Sequence, residues 1–137
     1  MAVIEELIRQ ENDGSISFGN YLMDEKKKVT DFEVDGDLYK VKTFSEITKL
    51  EKNGKMVVET VPGATLHQFH MTEKGASFVV EGGEDIQITM ELEPEVEYKI
   101  LIDDMNVGRV KATLAGKINF SIELQGKEHP VSVEKIS

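Results

Sequence analysis

Apolar and polar residues alternate along much of this chain, most regularly from Tyr98 to Leu124. Tyr98, Ile100 and Ile102 share one parity, Val110, Ala112 and Leu114 form a second run, and Ile118, Phe120, Ile122 and Leu124 a third. Side chains on a strand point alternately to opposite faces, so each run gives one apolar face and one wet face. Residues 98–124 therefore read as a meander of three consecutive antiparallel strands, whose apolar face the rest of the chain must cover. Shorter runs of the same kind precede it. Ser15–Tyr21 reads as a strand, and Val29–Val34 and Leu38–Phe44 flank Asp35-Gly36-Asp37. Asp-Gly between alternating runs signals a hairpin, because glycine accepts the positive φ of a tight turn. Ser45–Lys52 suits either a short helix or a strand. Asn53-Gly54 favours the strand, with Leu50 opposite Val57 in a hairpin. Ala64–Met71, Ala76–Val80, Ile86–Leu92 and Val131–Ile136 complete the series.

One stretch has a different period. Val3, Ile4, Leu7 and Ile8 fall on one stripe with Glu5, Glu6, Arg9 and Gln10 between them, which predicts a short amphipathic helix over residues 1–11. Such a helix would cover an open end of the sheet or make a self-association contact. The expected fold is all-β: one domain over residues 1–137, a β-sandwich or closed barrel of about eight to ten antiparallel strands, with that N-terminal helix. A turn-Gly-polar-apolar-x-apolar phrase recurs at Asp13–Phe18, Asn53–Val58 and Ala115–Phe120, as β-hairpins of one type do.

Charge narrows the function classes. Sixteen basic against 26 acidic side chains give a formal net charge of -10. Nucleic acid and anionic membranes call for lysine and arginine clusters, so neither is an expected partner. With no cysteine there is no disulfide framework and no thiolate chemistry. No run approaches the ~20 apolar residues of a membrane span, and the acidic start lacks the apolar core of a signal peptide, so the expected location is cytoplasmic. Between Glu59 and Glu97 nine acidic residues stand against the single Lys74. This acidic third is the expected contact surface for a protein partner.

Candidate chemistry is sparse. Glu91, Glu93, Glu95 and Glu97 share a parity and on a straight strand would line one face, where clustered oxygens suit calcium or a basic partner. Pro94 interrupts that strand, and the plainer reading is a solvated, partly ion-paired face. His67 and His70 are imidazole metal ligands in kind, but three residues apart on a regular strand they point to opposite faces, and only a bulge would bring them together. Tyr21, beside the charged Met23–Lys28 loop, is the ring best placed for sugar stacking in a chain without tryptophan. Nucleophile elbows, Walker loops and dinucleotide fingerprints are missing, and no cofactor is expected.

Several phrases carry a resemblance: GDLYKVKTFSEITKLEKNG (Gly36–Gly54), TVPG (Thr60–Gly63), VEGGEDIQIT (Val80–Thr89) and EYKILIDDMNVG (Glu97–Gly108). Over nearly the whole chain the sequence resembles a group of small uncharacterised proteins from anaerobic Gram-positive bacteria, some labelled "endosialidase". The matching phrases are turns and strands, so the resemblance implies kinship rather than mechanism. The label would imply a glycan-active enzyme. Characterised sialidases commonly grip the sialate carboxylate with three arginines, whereas this chain has two, Arg9 and Arg109. The meander is also similar to accessory β-sandwich domains of secreted glycan-degrading proteins, with Asp104 where their hairpin usually has glycine. The function expected from these readings is a non-enzymatic accessory or interaction domain that binds protein. The alternative is a carbohydrate-binding module with or without a structural calcium, and an enzyme ranks behind both.

Overall fold

A computed structural model of the chain describes residues 3–136. Among them thirteen strands form two sheets, and every strand pairing is antiparallel. The strands are β1 (Ile8–Gln10), β2 (Ile16–Phe18), β3 (Lys27–Val34), β4 (Asp37–Phe44), β5 (Ile47–Lys52), β6 (Lys55–Val61), β7 (Thr65–Thr72), β8 (Gly75–Glu81), β9 (Ile86–Glu91), β10 (Glu97–Ile102), β11 (Met105–Lys111), β12 (Lys117–Ile122) and β13 (His129–Lys135). Sheet I has the order β1-β2-β7-β8-β13-β10-β11, and sheet II the order β12-β9-β6-β5-β4-β3. Together they make a sandwich-like fold.

The core follows from ladder register. Val29, Val41, Leu50, Val58, Met90 and Ile118 stand opposite one another across all six strands of sheet II, so they share a face. All except the partly covered Val29 are buried. Sheet I meets them with rows such as Phe78–Val131–Ile102 and Ala76–Val133–Ile100. Phe69 links Phe18, edge-on at 5.8 Å, to Phe78 at 5.7 Å. Each fully buried side chain of this size contributes about 1.5–3 kcal/mol.

Two expected hairpins form where glycine marks them. Asp35-Gly36 and Asn53-Gly54 both take positive φ at each position, the twist that two-residue turns need. The ambiguous Ser45–Lys52 stretch resolves as a tight turn at Ser45-Glu46 followed by strand β5. Leu50 faces Val58 rather than Val57, because a bulge after Leu50 shifts the register by one.

The expected N-terminal helix does not form in the described residues, which begin after Ala2. A single turn closes from Ile4 to Leu7, Leu7 takes φ 74, and the chain enters β1. Ile4, Leu7 and Ile8 are buried all the same. Their stripe is satisfied by a turn plus a strand, and an isolated helix of that length is marginal. Those three side chains are thus part of this chain's own interior.

The 98–124 meander is likewise corrected. β10 and β11 pair, but β12 crosses to sheet II and pairs with β9. The crossing at residues 112–116 runs beside the β9–β10 crossing. Leu92 N–H donates to Gly116 O, Ala112 N–H to Val96 O and Glu95 N–H to Thr113 O. Leu114 rides this crossing and is 81% exposed, not part of an apolar face. No helix among the described residues is long and apolar enough to cross a membrane.

Candidate functional site

The four glutamates do not share a face. Glu91 closes β9 in sheet II opposite Lys117, and Glu97 opens β10 in sheet I opposite Lys111. Between them Glu95 takes φ 62, and this turn carries the chain across the sandwich. Glu93 accepts from Lys135 Nζ at 2.7 Å. Glu59 faces Lys49 across the ladder, and Glu81 is buried. Much of the acidic third is thus set against lysines.

β7 does carry the bulge that the histidine pair needed. Gln68 takes φ 54, and His67 and His70 stand opposite Val79 and Ser77, two residues apart on β8 and so on one face. Their environments still differ. His67 is buried, with Nε2 2.9 Å from Glu81 Oε1, whereas His70 is exposed and 3.5 Å from Asp13. Among the described residues no group of three or more His, Asp or Glu side chains is arranged to hold a metal ion. Tyr21 is half-buried, and burial together with the Glu81 carboxylate pushes its hydroxyl pKa up.

His129 is the third imidazole of the chain and opens β13 just before Pro130. Its Nδ1 lies 2.9 Å from Asp103 Oδ2 and its Nε2 2.9 Å from Leu124 O. Two acceptors facing two ring nitrogens favour the doubly protonated ring. The Leu124 carbonyl, with Asp103 behind it, raises the His129 pKa above the ordinary 6.5. A raised folded-state pKa contributes stability that is complete below the unfolded value and is lost as pH rises through the folded one. The stability gap between the wild type and His129→Gln should therefore shrink as pH climbs above 6.5. Urea unfolding of both proteins from acid to mildly alkaline pH checks this, and a gap independent of pH would refute it. The ring borders a cleft of about 580 Å³ between edge strands β11 and β12, floored by Ile102, Val110 and Phe120. A second cleft, of about 520 Å³, is lined by Met56, Met71 and Tyr98 and takes in Glu91 and Glu93.

A run of like charge lies on the outer face of sheet II. Lys28 stands directly opposite Lys42, and Lys42 directly opposite Lys49. The row continues through Glu59 and Thr89 to Asn119 at the β12 edge. Six strands at about 4.8 Å spacing make it about 24 Å long. Like charges directly opposite destabilise a sheet. Burial, then Lys26, Lys49 and Lys28, lower the Lys42 pKa. Elsewhere several lysines face acids: Lys40 faces Glu51, Lys99 Glu134, Lys111 Glu97 and Lys117 Glu91. Two other facing cation pairs, Lys99–Arg109 and Lys52–Lys55, each have an acid beside them, with Lys99 Nζ 3.5 Å from Glu134 and Lys52 Nζ 3.5 Å from Asp37. In the neutral half of the face Asn119 Nδ2 donates to Thr89 Oγ1 at 2.7 Å, and Gln87 Nε2 to Ser121 Oγ at 2.8 Å.

Charge counting missed this row because it depends on register, which composition does not carry. Comparison of the chain with family models, with curated proteins and with solved structures finds no match in any of the three.

Proposed function

We propose that this chain is a non-enzymatic binding module whose recognition surface is the outer face of sheet II and whose ligand is anionic. The observation that carries this is the Lys28–Lys42–Lys49 row, three ammonium groups on adjacent strands in a chain of net charge -10. Like charges directly opposite one another destabilise a sheet, and this row sets three in succession, with an acid, Glu59, only at its far end. A ligand that supplies the missing negative charge relieves that repulsion. The reading keeps the expected interaction domain but moves its contact surface from the acidic third to a basic row.

Retention on a cation-exchange matrix tests it. Despite its net charge the wild type should bind at low ionic strength and elute as salt screens the row. Lys42→Glu, which places a carboxylate between Lys28 and Lys49, should flow through. It should also melt higher, by about 0.5–1 kcal/mol in stability, because both repulsive contacts become attractive. Wild-type flow-through, or a variant that is retained like the wild type, would sink the reading. A destabilised variant would mean that the lysines serve the fold.

A further inference from the structure

Resting on that reading, we infer that the anionic ligand is a linear acidic polysaccharide lying along the row from β3 to β12. The row has two chemically different halves. Lys28, Lys42 and Lys49 concentrate positive charge in its first half. Glu59 then ends the charged part, and Thr89 and Asn119 continue it with a hydroxyl and an amide.

That division selects among polyanions. A densely charged chain such as polyphosphate or a nucleic acid carries negative charge at every step. Laid along the whole row it would set uncompensated phosphates against Glu59 and the neutral half. An acidic protein surface would look for the aromatic and arginine anchors that dominate protein interfaces. This row presents lysine, glutamate, threonine and asparagine instead.

An acidic polysaccharide matches both halves. Its carboxylates or sulfates are spaced apart and meet the ammonium groups. Its hydroxyls, donors and acceptors at once, suit Thr89 and Asn119, and one hydroxyl can also donate to the Glu59 carboxylate. The length of about 24 Å accommodates several sugar units in register with the strands. Sugar hydroxyls can replace the bond between Asn119 and Thr89, so the neutral half is already arranged as a donor–acceptor pair.

The test is calorimetric titration of the full chain with hyaluronate and gellan, linear polysaccharides whose carboxylates are separated by neutral sugar units. Dextran serves as the neutral control, and polyglutamate, polyphosphate and duplex DNA as the competing anions. At equal charge concentration the acidic polysaccharides should bind at least tenfold tighter than the other three anions, and dextran should not bind. Lys42→Glu should abolish the binding. Asn119→Ala, at an exposed edge position, should weaken it severalfold, and Gln87→Ala provides a second probe of the neutral half. Polyglutamate, polyphosphate or DNA binding as tightly as the glycans would overturn the inference, as would glycan affinity untouched by both neutral-half variants. Retention on the exchanger alongside either result leaves the anion-binding reading standing. Wild-type flow-through removes both.

Discussion

Gly75→Ala is expected to be among the most damaging single substitutions in this protein, lowering stability by about 3 kcal/mol or more. Gly75 opens β8 at φ 141, a backbone conformation that side-chain-bearing residues seldom adopt. A Cβ there would stand 1.8 Å from Val133 O and 2.9 Å from Val133 C, so a neighbouring backbone would have to move. That backbone is β13, which lies between β8 and β10 in the interior of sheet I. Shifting it drags Val131 and Val133 out of the core and strains the pairing of Ala76 with Val133. Against a total stability of about 5–15 kcal/mol the loss should lower Tm by roughly 10 °C or more. Gly83→Ala supplies the comparison. Nothing lies within 4 Å of its added Cβ and its φ is unremarkable, so it should stay within about 0.5 kcal/mol of the wild type. Thermal melts of the two variants side by side decide the point, and equal losses would show that close backbone approach is not what fixes Gly75.

The same dependence on backbone detail explains what the sequence could and could not disclose. Asp35-Gly36 and Asn53-Gly54 were legible because a tight hairpin needs positive φ and these dipeptides supply it. Strand runs were legible because burial on one face imposes a period of two. Sheet membership was not, since β12 alternates in the same way whether it pairs with β11 or, as it does, with β9. The lysine row shows the limit most sharply. Recognising Ser45-Glu46 as a two-residue turn is enough to place Lys42 opposite Lys49. Counting back from Asp35-Gly36, however, puts Lys28 opposite Thr43, on the inner face. A bulge between Val29 and Phe32, where Asp31 takes φ 56, moves Lys28 opposite Lys42 and onto the outer face. One residue of slip exchanges the two faces of a strand. The glutamates fail for the complementary reason: their shared parity assumed a straight strand, and the turn at Pro94-Glu95 sends Glu91 and Glu97 to different sheets.

Breaking the His67–Glu81 pair from one side should cost about 3–5 kcal/mol, which places it beside Gly75→Ala in severity. The pair lies on the outward side of β7 and β8, yet His67 is 4% exposed and Glu81 8%. Chain from the N-terminal region passes close to it. Gly19 O accepts from both Thr65 Oγ1 and Ile4 N–H, and Tyr21 lies close enough to Glu81 for the carboxylate to raise its pKa. In such surroundings a polar group without its partner loses hydration and gains nothing in return. His67→Leu strands the Glu81 carboxyl group, and Glu81→Leu strands the imidazole. The double variant removes both polar groups and fills the space with apolar volume, so it should be far less destabilised than the two single losses added together. A coupling of about 1–3 kcal/mol from urea unfolding of the four proteins is the expected result. Glu81→Gln, which keeps an oxygen 2.9 Å from Nε2, should lose less than Glu81→Leu. Additive single losses would instead make the two residues independent tenants of one buried site. A coupled pair fixes His67 as an internal bond of sheet I and leaves His70, exposed on the same side of β7 beside Asp13, as the solvent-facing one of the two.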